Sequence, residues 1–281
     1  MSTTALVPTI PFGPTRISRI IIGDNPIYGY SHFNHLLAQH QIDSNSSEEV
    51  MTTLRRAEKA GINAWQNTIT ERSTADLERY REQGGTIQYF CLSTGSWYDH
   101  PEGVEEAAKL NPIGMSPHGG IGDRCLREDK LDVLKDLTKR IRATGCQVGV
   151  SCHNPRLVEI VEDEDWDVDY FMTALYYLAG ASRRFQEQFG HPPLHEVYLR
   201  EDRDLMCEVI RKASRPCIAY KVLAAGRAIG SKDQIRSEIR FALENVKSTD
   251  SLLIGMYQKL NDQIGENAAM VAEICAELDE G

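Results

Sequence analysis

Apolar residues in this chain fall into short unbroken runs, each closed by polar residues. The eight clearest are RIIIGDN (19–25), INAWQN (62–67), IQYFCLST (87–94), IGMSPHGG (113–120), QVGVSCHN (147–154), VDYFMTALYY (168–177), CIAYKVLAAGR (217–227) and LLIGMY (252–257). A strand with one wet face alternates apolar and polar positions, whereas a parallel strand covered on both faces reads as a continuous apolar run. Helical spacing fills the gaps between most of the runs. Ser47-Glu48-Glu49 precedes VMTTLRRAEKAG, with acidic residues at the positive end of a helix and Gly61 as its stop. The segment from Thr74 to Gly84 ends the same way. From Asp129 to Gly145 apolar residues recur at 131, 133, 134, 137 and 141, a stripe for the core side of a helix. Asn154-Pro155 opens another helix, with Pro in the first turn. Asp233 to Val246 and Asp262 to Leu278 supply the last two. Strand alternating with helix eight times predicts an α/β fold, a single closed (β/α)8 or TIM barrel, whose chemistry sits at the C-terminal strand ends. Those ends hold Asp24, Asn25, Gln66, Asn67, His118, His153, Asn154 and Lys221.

The length of 281 residues suits one barrel domain over 1–281, since no Pro/Gly/Ser-rich linker divides the chain. The formal net charge of -10 disfavours nucleic acid and anionic membrane as partners, because both call for a basic footprint. No stretch approaches the roughly 20 apolar residues of a membrane span. The N-terminal MSTTALVPTIPFGPTR has neither the early charge cluster nor the apolar core of a signal peptide. Seven scattered cysteines form no C-x-x-C pair, which points to reduced thiols and a cytoplasmic protein. Cys152, at a strand end, is read as a packing residue rather than a reactive thiol. The oligomeric state is not legible.

The two histidines are the sharpest candidates. His118 and His153 close neighbouring strands, and alternation puts Ser116 on the same face as His118 and Ser151 on the same face as His153. They suit acid/base catalysis, substrate binding, metal ligation or simple hydrogen bonding. A divalent metal would need a third ligand from Asp24, Glu71 or His35. Lys221, in an otherwise apolar run, is open to three roles: Schiff-base nucleophile, binder of an anionic substrate, or structural salt bridge. Ala224-Ala225-Gly226-Arg227 follows it, a small-residue loop where barrels often hold phosphate. The two longest connections run from Asn25 to about Ser47 and from about Leu178 to Asp202, and long loops at a barrel mouth shape a site. In the first, His32 and His35 have the spacing of one helix side, and Tyr28, Tyr30 and Phe33 suggest a lid or wall for an organic ligand.

Over nearly the whole chain these segments resemble the aldo-keto reductase superfamily. ISRIIIGDNPIYG is similar to that family's opening strand and glycine turn, AEKAGINAWQ to its stretch into the second strand, and PHGG to the His-Gly of the fourth. VGVS, AYKVLAAGR, and IRFALENV with IGM and QIGEN resemble later segments. The resemblance implies a TIM barrel and NAD(P)-dependent carbonyl reduction by an Asp, a Tyr, a Lys and a His. Only the His carries over, to His118. Gln66 stands at the Asp position and Glu71 at the Tyr position, and the third strand ends in Leu92-Ser93-Thr94 without a Lys. For the cofactor, the resemblance places Ser151 at the nicotinamide amide, and Glu266 and Asn267 at adenine. Tyr257 and Gln263 occupy the places of the cations that hold the 2′-phosphate, and Lys259 is a candidate to shift into that role.

The expectation is therefore a divergent enzyme acting on a small polar, hydroxyl- or carbonyl-bearing, sugar-like molecule. His118, His153 and Glu71 are its acid/base candidates, Lys221 joins them as a catalytic candidate, and Lys221 and Arg227 would hold an anionic group. Asp24, Asn25, Gln66, Asn67, Asn154 and Tyr28 would bind substrate, and Ser151, Gly226, Arg227, Lys259 and Asn267 a cofactor. Three rivals stand beside it: an NAD(P)-dependent oxidoreductase with rearranged groups, a metal-dependent isomerase, epimerase or hydrolase, and a ligand-binding barrel without turnover.

Overall fold

A computed structural model describes residues 7–280. It opens with a hairpin of β1 (Thr9–Phe12) and β2 (Thr15–Ser18). The barrel strands are β3 (Ile20–Gly23), β4 (Ala64–Thr68), β5 (Gln88–Leu92), β6 (Gly114–Ser116), β7 (Gln147–Cys152), β8 (Tyr170–Ala174), β9 (Cys217–Tyr220) and β10 (Ser251–Gly255). Every neighbouring pair is parallel, and β10 closes on β3 with Leu252 opposite Ile20. All eight coincide with the apolar runs, and the chain folds as a closed TIM barrel. Helices α1 (Asn25–Tyr28), α2 (His35–Ser44) and α3 (Ser47–Lys59) follow β3, and α4 (Glu71–Glu82) follows β4. After β5 comes α5 (Gly103–Ala108); after β6 come α6 (Gly119–Glu128) and α7 (Leu131–Ala143); after β7 comes α8 (Pro155–Asp163). The last helices are α9 (Leu178–Phe189), α10 (Arg200–Lys212), α11 (Lys232–Asn245) and α12 (Gln263–Glu280).

Alternation along the strands builds two separate cores. One face of the strands packs on the helices, as Ile20, Ile22, Trp65, Val148, Val150 and Ile254 do. The other face fills the barrel interior with Ile21, Ala64, Phe90, Tyr170, Met172, Ile218 and Leu253. The hairpin belongs to this inner core: Ile10, Phe12 and Ile17 are buried there. Phe12 meets Phe90 at 4.9 Å and Tyr170 at 5.0 Å, both edge to face. Its polar contacts go to strand starts, with Thr15 donating to Gln88 and Ser251 donating to the Ser18 carbonyl, so the hairpin floors the N-terminal end. The opposite end is left for the site.

Several local expectations change. Residues 1–6, within the stretch read as lacking a signal peptide, lie outside the described residues. The helix expected over 129–145 is shorter: α6 ends at Glu128, Asp129 is left-handed at φ 54, and α7 runs from Leu131 to Ala143, with the whole apolar stripe inside it. Helix α4 begins at Glu71 rather than Thr74, because Thr70 and Ser73 cap each other's backbone N–H groups. The 178–202 connection is half helix, as α9. His32 precedes α2 while His35 starts it, so the two do not share a helix side. Among the described residues no helix is long and apolar enough to cross a membrane, and all seven cysteines are free.

Candidate active site at the barrel mouth

The two histidines arrive at the mouth by strand parity. Ser116 donates to Tyr170 Oη at 3.1 Å, and the Ser151 and Tyr220 hydroxyls lie 3.4 Å apart, all within the barrel. Two residues further on, His118 and His153 rise on the same inner face, with ring centroids 6.1 Å apart. His118 is the N-cap of α6, and its Nδ1 accepts the Gly120 N–H at 3.0 Å. Its own backbone N–H donates to Ser93 Oγ at 2.8 Å, which pins the turn. Burial, then the nearby His153 and Lys221, push its pKa down to about 4. His118 is thus a neutral imidazole with Nδ1 as acceptor, and its proton is on Nε2.

His153 has the opposite arrangement. Its Nδ1 lies 2.8 Å from Asp123 Oδ2, and a carboxylate only accepts, so Nδ1 carries a proton and the neutral tautomer of this ring has its lone pair on Nε2. Asp123 comes from α6, an element the sequence reading missed. Gly119-Gly120-Ile121-Gly122 reads as a helix breaker, each glycine costing about 1 kcal/mol against Ala. The glycines answer a tertiary need instead. A Cβ on Gly119 would meet the His153 ring at 2.8 Å, and one on Gly122 would meet Leu157 at 2.6 Å. The helix must lie that close to β7 for Asp123 to reach His153.

Lys221 directly follows β9 and has φ 61, left-handed for a residue with a side chain. The salt-bridge role weighed for it is not what forms: among the described residues no carboxylate lies within 4.0 Å of its amine. Its Nζ lies 5.2 Å from the centre of the Tyr220 ring, and burial lowers its pKa to about 8. The loop beyond is unusual too, with Ala224, Ala225 and Gly226 all at positive φ. Arg227 is committed to its neighbours rather than to an anion. It donates to the His32 carbonyl at 3.0 Å and stacks 4.2 Å from the Tyr198 ring and 5.5 Å from Phe33. His32 in turn meets Glu196 at 2.8 Å, which also accepts from Tyr198. The two longest mouth loops are therefore clasped over one side of the site. Glu196 and Tyr198 lay in a segment the sequence marked only as long.

The β3 and β4 ends form a second polar pole, across the barrel from β7. Asp24 is 1% exposed; its Oδ2 accepts the Thr68 N–H at 2.6 Å, and its Oδ1 has no partner within the chain. Burial outweighs the Thr68 hydrogen bond and raises its pKa to about 6. Gln66 Nε2 is likewise buried and unpartnered. The two side chains bear on each other, with Gln66 helping to hold the Asp24 pKa down against burial, and a hydroxyl-bearing ligand that reached them would satisfy both.

The other candidates are placed elsewhere. Asn67 faces outward and donates to Ser73 at the start of α4. Tyr28 is buried against Trp65 and donates to Asp76, so its phenol is structural. Asn154 caps α8 by accepting from Arg156 and donates to Tyr177. Asn25, Glu71 and His35 are exposed, and Glu71 makes no hydrogen bond or ion pair among the described residues. Asp123, not Glu71, is the carboxyl beside the histidines. Cys152 is fully buried, and burial raises its pKa well above the ordinary thiol value, as befits a packing residue.

The residues counted for a dinucleotide fit it poorly. Ser151 does lie on the mouth floor, but Gly226 and Arg227 belong to the clasp. Lys259 is exposed on the loop after β10, and Asn267 is buried in α12. Gln263, at a 2′-phosphate place, accepts the Tyr257 N–H at 2.7 Å, and the other place is Tyr257 itself, whose buried Oη has no partner. Neither carries a positive charge, so the 2′-phosphate has no cation at either place. Among the described residues no three His, Cys, Asp or Glu side chains converge as metal ligands.

No protein-family model matches the chain, and no curated protein matches it. Solved structures do. A truncated form of 3-deoxy-D-arabino-heptulosonate 7-phosphate synthase from Thermotoga maritima superimposes with a TM-score of 0.53 at 12% identity, over 98% of this chain and 92% of that one. A mutant of Gox0644 in complex with NADPH gives 0.54 at 13%, over 95% and 88%. The apo form of Gox0644 gives 0.51 at 14%, over 94% and 92%. At such identities the likeness is one of fold, the TIM barrel, and function rests on the site.

Proposed function

We propose that the mouth moves a proton on a small polar substrate bearing a carbonyl beside a hydroxyl, a sugar-like class. The observation that carries this reading is the opposite hydrogen-bond polarity of the two histidines. With Nδ1 held by Gly120, His118 offers only its Nε2–H, a donor for a carbonyl oxygen or the enolate that develops from it. A neutral imidazole at a helix N-terminus is suited to polarising a carbonyl. With Nδ1–H held by Asp123, His153 offers its Nε2 lone pair as a base for the adjacent C–H or O–H. Asp24 and Gln66 supply the acceptor and donor that orient hydroxyl groups. The reaction class is isomerisation or epimerisation next to a carbonyl.

The test is a panel of small aldoses, ketoses and hydroxyketones incubated with the protein in D2O, with loss of the α C–H signal followed by NMR. At least one member exchanges with the native protein. His153→Ala and Asp123→Asn lower that rate by about 10²–10⁴-fold, the usual worth of a positioned acid or base. The same sample is titrated with NADPH and NADH by fluorescence. Saturable binding that supports carbonyl reduction, without proton exchange, would replace this reading with hydride transfer.

A further inference from the structure

We infer that Lys221 is an amine nucleophile that forms an imine with the substrate carbonyl, so that the mouth takes open-chain aldehydes or ketones. This rests on the mouth being the active site and deepens that reading. Parity is the first argument. Ile218 and Tyr220 belong to the inner face of β9, so an extended residue 221 would point to the helices. The left-handed backbone at φ 61 breaks that alternation, and the amine lies by the inward Tyr220 ring at 5.2 Å. Strained backbone of this kind clusters where function requires it.

The second argument is the missing counter-ion. The carboxylates that bear on Lys221 are Glu196 and Asp123, and each is already held at 2.8 Å, by His32 and His153. A buried lysine without an ion pair loses its proton readily, and near its pKa of about 8 half of it is free amine. The third argument is a supply of proton carriers. His118 lies close enough for the Lys221 charge to depress its pKa, and the charge of Asp123, which holds His153 at 2.8 Å, acts on Lys221 as well.

The step balances without an external oxidant or reductant. The Nζ lone pair forms the N–C bond, the carbonyl π pair moves to oxygen, and oxygen takes up the proton that nitrogen loses. The carbinolamine hydroxyl then takes a proton from solvent and leaves as water as the nitrogen lone pair closes the C=N bond, which gives the protonated imine. His118 Nε2–H hydrogen-bonds the oxygen in both halves without giving up its proton. The protonated imine withdraws electrons from the α carbon, whose proton passes to His153 Nε2.

The experiment treats the full chain at pH 8 with dihydroxyacetone, glyceraldehyde or pyruvate, adds borohydride, and maps reduced adducts by peptide mass. The nine other lysines are internal controls. An ordinary lysine, with a pKa near ~10.4, holds about a hundredfold less free amine at that pH, so trapping concentrates on Lys221 by a comparable factor. Adducts spread evenly over the lysines overturn the imine. So does a Lys221→Arg protein, shown folded by thermal unfolding, that exchanges substrate protons at the native rate; that result leaves the His118/His153 reading standing. Adduct retained at Lys221 in His153→Ala, with exchange lost, supports both. Substrate affinity lost in Lys221→Met but kept in Lys221→Arg, with no trapped adduct, identifies an anion-binding lysine and overturns the imine.

Discussion

Replacing His118 by Asn separates the charge of this residue from its place in the fold. Asn is a preferred N-cap, so its side-chain oxygen takes over the Gly120 N–H and α6 keeps its start. What disappears is a group whose pKa is about 4 in the folded protein against 6.5 in the unfolded chain. That gap corresponds to about 3 kcal/mol. Because the folded value is the lower one, the unfolded chain binds the proton first. The stability is fully present above pH 6.5 and is lost as pH falls toward 4. At pH 5 the loss is about 2 kcal/mol, and below pH 4 it approaches about 3 kcal/mol. Urea unfolding of native and His118→Asn proteins at pH 8 and pH 5 measures it. Carboxylates also titrate in this range, but they do so in both proteins, and the difference of differences removes them. The native protein loses about 2 kcal/mol more than the variant between the two pH values. Parallel pH profiles would refute the neutral His118, and with it the fixed Nε2–H donor on which the proposed chemistry depends.

Two further outcomes follow from buried groups of opposite kind. Asp24→Asn keeps the acceptor for Thr68 N–H and removes a carboxyl whose folded pKa, about 6, lies above the ordinary 3.8. The ionised form costs stability as pH rises through that window, so the variant is more stable than native by up to about 3 kcal/mol at pH 8 and equal to it at pH 3.5, by urea unfolding. A gain that persists unchanged at pH 3.5 would contradict this. Phe12→Ala empties the barrel floor between Phe90 and Tyr170 and costs about 3–5 kcal/mol in the same assay; a cost under 1 kcal/mol would show that the hairpin is not part of the core.

What the linear pattern carried was the part of the molecule that repeats locally. Unbroken apolar runs located all eight barrel strands, because a strand buried on both faces has no polar alternation to hide it. Parity within those runs put His118 and His153 on one face. Ser47-Glu48-Glu49 and Asn154-Pro155 marked helix starts. The rest depends on contacts between residues far apart in sequence. The hairpin strands are four residues each, too short for periodicity to declare them, and they are ordered by the barrel they floor. Helix α6 runs against its own glycine content because close approach to β7 demands small residues there. Asp123 reaches His153 across 30 residues of chain, and Glu196 reaches His32 across 164. The direction of Lys221 was set by a single backbone torsion that reverses strand parity. Residue type and spacing therefore named the two histidines and the lysine. Which nitrogen of each histidine carries the proton was settled by partners brought in through folding, and the turn at Lys221 by its left-handed backbone.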